Sequence, residues 1–206
     1  MNQSATDVPV PPPISPERTL NPAQWGMVSF LLSEVAFFST LIVTYVAFMG
    51  RDIVGPTPAE ALSLPLVIVS TISLLASSFV IHWAEKSLEH GQLRTFTLLW
   101  AGTIALGLLF LLGTAIEWHD LIKEHHLTIS RNLFGTTYYT LVGFHGLHVS
   151  VGIIAMLIIL GLSLSREVIA QHRTGVELVA WYWHFVDAVW IVVFLVVYVA
   201  SRIGGA

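Results

Sequence analysis

The chain has 206 residues, 55% hydrophobic and 11% charged, with a mean hydropathy of +0.77 and a formal charge of −4. Water-soluble domains carry about a quarter charged residues, so most of this surface is built to face lipid rather than water. The small acidic surplus excludes a phosphate-neutralising nucleic-acid partner, and the absence of cysteine excludes disulfides, thiolate nucleophiles, iron–sulfur clusters and cysteine-ligated zinc.

Residues 1–23 are polar and proline-rich (Pro9, Pro11, Pro12, Pro13, Pro16, Pro22). Proline removes backbone donors, so the segment reads as an extended arm. No short apolar core follows a basic leader, as a signal peptide would require. The remainder, 24–203, reads as one all-α membrane domain.

A spanning helix needs roughly 20 mostly apolar residues. Five stretches qualify: about Gln24 to Met49, Leu64 to Trp83, Phe96 to Ile116, Phe134 to Leu164 and Leu178 to Ser201. Spanning β-strands would be about ten residues long and alternating, unlike these runs. The breaks between them are short, so consecutive helices should run antiparallel. No internal repeat of the inverted-transporter kind is visible. Five spans put the termini on opposite sides. Arg18, Lys86, Arg94, Arg166 and Arg173 fall on the amino-terminal side, and Arg51, Lys123, Arg131 and Arg202 on the other. The bias favours a cytoplasmic N-terminus.

An ionisable group at mid-bilayer costs about 2.5–3.5 kcal/mol on insertion scales, so the few inside the spans mark the interior. Glu34 falls near the middle of the first span, His145 and His148 near the middle of the fourth, and Asp187 near the middle of the fifth. His145 and His148 are three residues apart and share a helix face, as do His184 and Asp187. Gly143, Gly146 and Gly152 would let a neighbouring helix approach the histidine face closely. These residues predict an internal polar cluster, with Glu34 paired to one or both histidines of the fourth helix. It could be a structural network, a lipid contact, a proton-conducting element or a haem or metal site. His82 reads as an isolated residue near the end of the second span. Trp25, Trp83, Trp118 and Trp181 suit an interfacial aromatic belt. Glu117, His119, Asp120, Glu124, His125 and His126 read as a solvated loop, with a surface zinc site as the alternative. Ser77 and Ser78 show no base near them in the sequence.

Three segments carry a resemblance: GMVSFLLSEVAFFSTLIVTYVAF within Trp25 to Met49, FGTTYYTLVGFHGLHVSVG over Phe134 to Gly152, and VAWYWHFVDAVWIVVFLVVY over Val179 to Tyr198. Together they resemble cytochrome c oxidase subunit III, in the five-helix form of short bacterial subunits; the two helices that precede the SEV helix in the longer mitochondrial form are missing. Glu117-Trp118-His119 sits where that family places a glutamate followed by aromatics. The resemblance implies a subunit of a haem-copper terminal oxidase in a bacterial cytoplasmic membrane. Such a subunit carries no haem or copper of its own, those cofactors being held by partner subunits. It packs against subunit I, with subunit II and small subunits nearby, binds phospholipid and supports proton uptake. It implies further that Glu34 matches a buried carbodiimide-reactive carboxylate, that His145 and His148 match the fourth-helix histidines, and that Arg166, with Glu34 and His148, contacts lipid. A quinol oxidase subunit III and a nitric oxide reductase auxiliary subunit share the form. A free-standing transporter or metal-dependent membrane enzyme is the alternative of a different class.

Overall fold

The computed structural model describes residues 20–51, 62–124, 126–164 and 172–201. Most of the expected N-terminal arm, and Arg166, lie outside the described residues. Five helices are long and apolar enough to cross a membrane: α1 (Pro22–Phe48), α2 (Leu64–Glu89), α3 (Leu93–Lys123), α4 (Leu133–Leu162) and α5 (Arg173–Phe194), which runs on as a π-helical stretch, Leu195–Ala200. There is no strand among the described residues.

Local chemistry sets the ends. Asn21 caps α1: its Oδ1 accepts from the Gln24 amide at 2.8 Å while Gln24 Oε1 accepts from the Asn21 amide at 2.9 Å, with Pro22 at the first helical position. Asn132 caps α4 through Gly135 N at 2.8 Å. Gly91, at φ +73, turns the chain between α2 and α3 in only three residues.

Three spans are longer than the hydropathy pattern suggests, α5 among them, which begins at Arg173 rather than Leu178. α2 ends at Glu89 rather than Trp83, and α3 runs from Leu93 to Lys123 rather than from Phe96 to Ile116. Charged residues stop a hydropathy reading, but they do not stop a helix, whose backbone bonds continue into the headgroup zone.

α2 packs along the length of α3; α3 packs on α4, α4 on α5, and α5 on α2. α1 lies outside, against α4 and α5, and buries only Phe38 and Tyr45. Lipid supplies no hydrophobic drive between helices, so close approach and internal hydrogen bonds do the joining. A Cβ on Gly113 would collide with Ser70 Oγ, and Cβ atoms on Gly107 and Gly152 would each lie 2.8 Å from the Trp183 ring, which is held between α3 and α4. The three fully buried tryptophans all spend their indole N–H: Trp100 on the Met156 carbonyl at 2.9 Å, Trp183 on Ser77 Oγ at 2.8 Å and Trp190 on Thr71 Oγ1 at 3.0 Å.

Candidate functional site

Glu34, on outlying α1, and His148, on α4, stand near the middles of their helices and meet across the interface, with Glu34 Oε2 3.0 Å from His148 Nε2. The other ring nitrogen, Nδ1, lies 2.7 Å from the Phe144 carbonyl. A carbonyl oxygen only accepts, so Nδ1 carries a hydrogen. One proton remains for the Nε2–Oε2 contact, whichever atom holds it, and the pair is neutral as a unit. That neutrality is what mid-bilayer burial favours. Phe38 meets His148 edge-on with ring centroids 4.9 Å apart, the tilted Phe37 ring lies 6.2 Å away, and Tyr182 donates to the His148 carbonyl at 3.0 Å.

His145 does not join this pair. It is wholly buried, stacked on Trp190 at 4.9 Å and met edge-on by Phe110 at 5.8 Å and Phe38 at 6.3 Å. Neither of its nitrogens has a partner among the described residues. Of the α4 glycines, Gly152 faces Trp183 and Gly143 lies near Trp118, while a Cβ on Gly146 would meet nothing within 4 Å.

His184 and Asp187 form a separate group with Ser78 of α2. His184 Nδ1 is 3.1 Å from Ser78 Oγ, which also bonds Asp187 Oδ2. Asp187 is 3% exposed, and its Oδ1 has no partner among the described residues. The sequence showed no base beside Ser78; the fold supplies one from more than 100 residues away. The order is nevertheless wrong for a nucleophile. In a catalytic triad the imidazole stands between hydroxyl and carboxylate, whereas here the hydroxyl stands between the other two. His82 is not at a helix end either: α2 continues to Glu89, which leaves His82 exposed on the same face as Ser78.

A further group joins Glu117 to two tyrosines that the sequence did not single out as its partners. Glu117, read there as loop, lies inside α3 and is 3% exposed. Its Oε2 accepts from Tyr198 at 2.7 Å and Tyr138 at 3.0 Å, and the two phenol oxygens are 3.2 Å apart. The π-helical stretch of α5 carries Tyr198, so three helices are tied at their carboxyl-terminal-side ends. Glu-Trp at 117–118 and the Tyr138-Tyr139 pair were the only signals available. From the rest of the expected loop, His119 lies 3.5 Å from Asp120 with both side chains well exposed, a contact worth little; His125 lies outside the described residues. Among the described residues no group of three or more histidine, aspartate or glutamate side chains is placed to hold a metal ion.

Residues 18–202 of the chain match the family model described as "Cytochrome c oxidase subunit III". The chain belongs to the cytochrome c oxidase subunit III family. Among relatives of the family, cytochrome c oxidase subunit 3 of Aedes aegypti is 36% identical over 185 residues, covering 85% of this chain and 68% of that protein. Cytochrome bo(3) ubiquinol oxidase subunit 3 of Pseudomonas aeruginosa is 34% identical, covering 87% of this chain and 85% of that one. Cytochrome c oxidase subunit 3 of Thermostichus vulcanus is 33% identical, covering 86% and 87%. Subunit III of a haem-copper oxidase is thus what the chain is similar to across its membrane domain, and the multi-pass membrane character follows from the same five spans.

Proposed function

We propose that this chain acts as a redox-silent subunit III, packed against subunit I of a haem-copper terminal oxidase, holding phospholipid and supporting proton uptake from the amino-terminal side. The observation that supports the redox-silent reading is the setting of the α4 histidines, one engaged by hydrogen bonds and the other shut in by aromatic rings. His148 is spent on Glu34 and the Phe144 carbonyl, and His145 is enclosed by Trp190, Phe110 and Phe38. Among the described residues neither imidazole is turned toward a matching ligand on a facing helix, as an axial pair would be.

Lipid retention is supported by a groove of about 460 Å³ lined by Leu93, Arg94, Thr97, Leu98, Ser163 and Leu164. Its apolar wall suits an acyl chain, and Arg94 suits a phosphate. Support for proton uptake comes from carboxylates at the amino-terminal-side ends of α2 and α5, where Glu85, Glu89 and Glu177 line one cavity. Such a surface concentrates cations near an entrance without itself conducting them. The cytoplasmic N-terminus follows the weak excess of Lys and Arg on that side.

Similarity to relatives named for cytochrome c and for ubiquinol leaves both donors as readings, since electrons enter through other subunits. The test is deletion of the chain from the native complex. The expected result is unchanged haem content with slower proton uptake and earlier loss of activity during turnover. A depleted complex that turns over undiminished through many cycles refutes the proposal.

A further inference from the structure

Two phenols and a carboxylate are a costly way to join three helices. Tyr138 and Tyr198 are fully buried and Glu117 is 3% exposed, where apolar rings of similar size would pack without the cost of desolvation. The chain also leaves α-helical geometry to build the group, since the π-helical stretch of α5 carries Tyr198. An intramembrane carboxylate held in this way points to a working site.

The hydrogen bonds say what kind of work. Each phenol gives its one hydrogen to Glu117 Oε2, Tyr198 at 2.7 Å and Tyr138 at 3.0 Å, and Glu117 Oε1 has no partner among the described residues. A carboxylate at this distance is placed to take a phenol proton, and its second oxygen is open to hold one. Tyr139 and Tyr182 differ: they give their hydrogens to the Leu127 and His148 carbonyls, which are not bases. A phenol that loses an electron sheds its proton, so Tyr138 and Tyr198 are easier to oxidise than either of these.

The rings supply a route as well. Trp118 is partly exposed near the carboxyl-terminal-side end of α3. Its ring lies 5.2 Å from that of Tyr139, which lies 5.3 Å from that of Tyr138. The phenol oxygens of Tyr138 and Tyr198 are 3.2 Å apart. Rings this close pass an electron directly from one to the next, so the row runs from the surface of the bundle to a buried base.

We infer that Glu117, Tyr138 and Tyr198 form a sink for oxidising equivalents that reach the bundle as peroxyl radicals of oxidised acyl chains. The peroxyl radical takes an electron from Trp118 and a proton from interfacial water and becomes a hydroperoxide. The electron missing from Trp118 is replaced through Tyr139 from Tyr138 or Tyr198, whose phenol proton passes to Glu117. A neutral tyrosyl radical and a carboxylic acid remain inside. A phenolic reductant at the surface resets them: its electron returns along the rings, Glu117 gives the proton back, and the proton of the reductant goes to water. The sink needs nothing from a partner subunit, so it stands apart from the oxidase reading.

The test places the purified native complex in vesicles of dilinoleoyl phosphatidylcholine, where a thermal azo initiator supplies the peroxyl radicals. Peptide mass spectrometry reads the oxidation of Trp118 to kynurenine products. Y138F/Y198F and E117Q strand the missing electron on Trp118, and each should raise that oxidation several-fold over wild type, while Y182F leaves it unchanged. The amide in E117Q still accepts the phenol hydrogen bonds but does not keep a proton, which separates the chemistry from packing. N-bromosuccinimide, which attacks an indole by access alone, should modify Trp118 equally in all of these proteins. Wild-type levels of peroxyl damage in Y138F/Y198F or in E117Q overturn the sink. So does a parallel rise with N-bromosuccinimide, which would mean that the variants merely uncover Trp118.

Discussion

Glu34 and His148 meet 3.0 Å apart across the interface between α1 and α4, and the second ring nitrogen of His148 is already engaged by the Phe144 carbonyl 2.7 Å away. Because α1 buries only two side chains fully, Phe38 and Tyr45, this pair is a large part of what fixes its rotation. Its partial exposure, 18% for Glu34 and 14% for His148, leaves the edge of the pair open to whatever lies beside α1.

Replacing Glu34 by Ala should therefore loosen α1 more than it loosens the rest. The unpaired Nε2 costs about 1–3 kcal/mol, whereas Glu34→Gln keeps an acceptor in place and should cost less than half as much. Thermal unfolding of the purified complex in detergent, together with retention of the chain during purification, checks the order. Equal stability of the two variants would sink the assignment.

The Glu117 group makes a second expectation. Tyr198→Phe removes one donor to a carboxylate oxygen and should cost about 0.5–1.5 kcal/mol, while Glu117→Ala strands two buried phenols and should cost about twice that or more. Because the three residues share one oxygen, the double variant should fall short of the sum by about 0.5–3 kcal/mol. A double-mutant cycle by chemical or thermal denaturation measures it, and strict additivity would show that the contacts are independent.

Close helix approach gives a paired test. Gly152→Ala puts a Cβ 2.8 Å from the Trp183 ring, and overpacking of this kind costs about 1–3 kcal/mol. Gly146→Ala meets nothing within 4 Å and should be neutral or slightly stabilising through helix propensity, by up to about 1 kcal/mol. Melting temperatures of the two variants decide; similar losses at both sites would mean that Trp183 has room to move.

Topology can be read on a cysteine-free background. His119 is well exposed near the end of α3 on the carboxyl-terminal side, and Lys86 is exposed toward the amino-terminal side. In intact cells an impermeant maleimide should label H119C and leave K86C unlabelled until the membrane is opened. The reverse pattern would invert the proposed orientation and with it the side from which proton uptake is supported.

Much of the architecture was legible because bilayer thickness imposes a length that hydropathy records. All five helices stand where runs of about 20 apolar residues predicted them, and Asn21, Asn132 and Gly91 mark ends by local chemistry alone. The central placement of Glu34, His145, His148 and Asp187 was also legible, since rise per residue converts sequence position into depth. Ends defined by charge were less reliable: Glu117 looked like loop because hydropathy cannot distinguish a charged residue in water from one held between two tyrosines.

By itself, then, the sequence determined the number of spans, their antiparallel order and which polar side chains sit at mid-membrane, because each is a property of one helix in a slab of fixed thickness. Only the tertiary structure decided which of those side chains meet. The rotation of each helix is set by neighbours such as Trp183 between Gly107 and Gly152, and that rotation gives Glu34 to His148, encloses His145 among aromatic rings and brings Ser78 to His184 and Asp187.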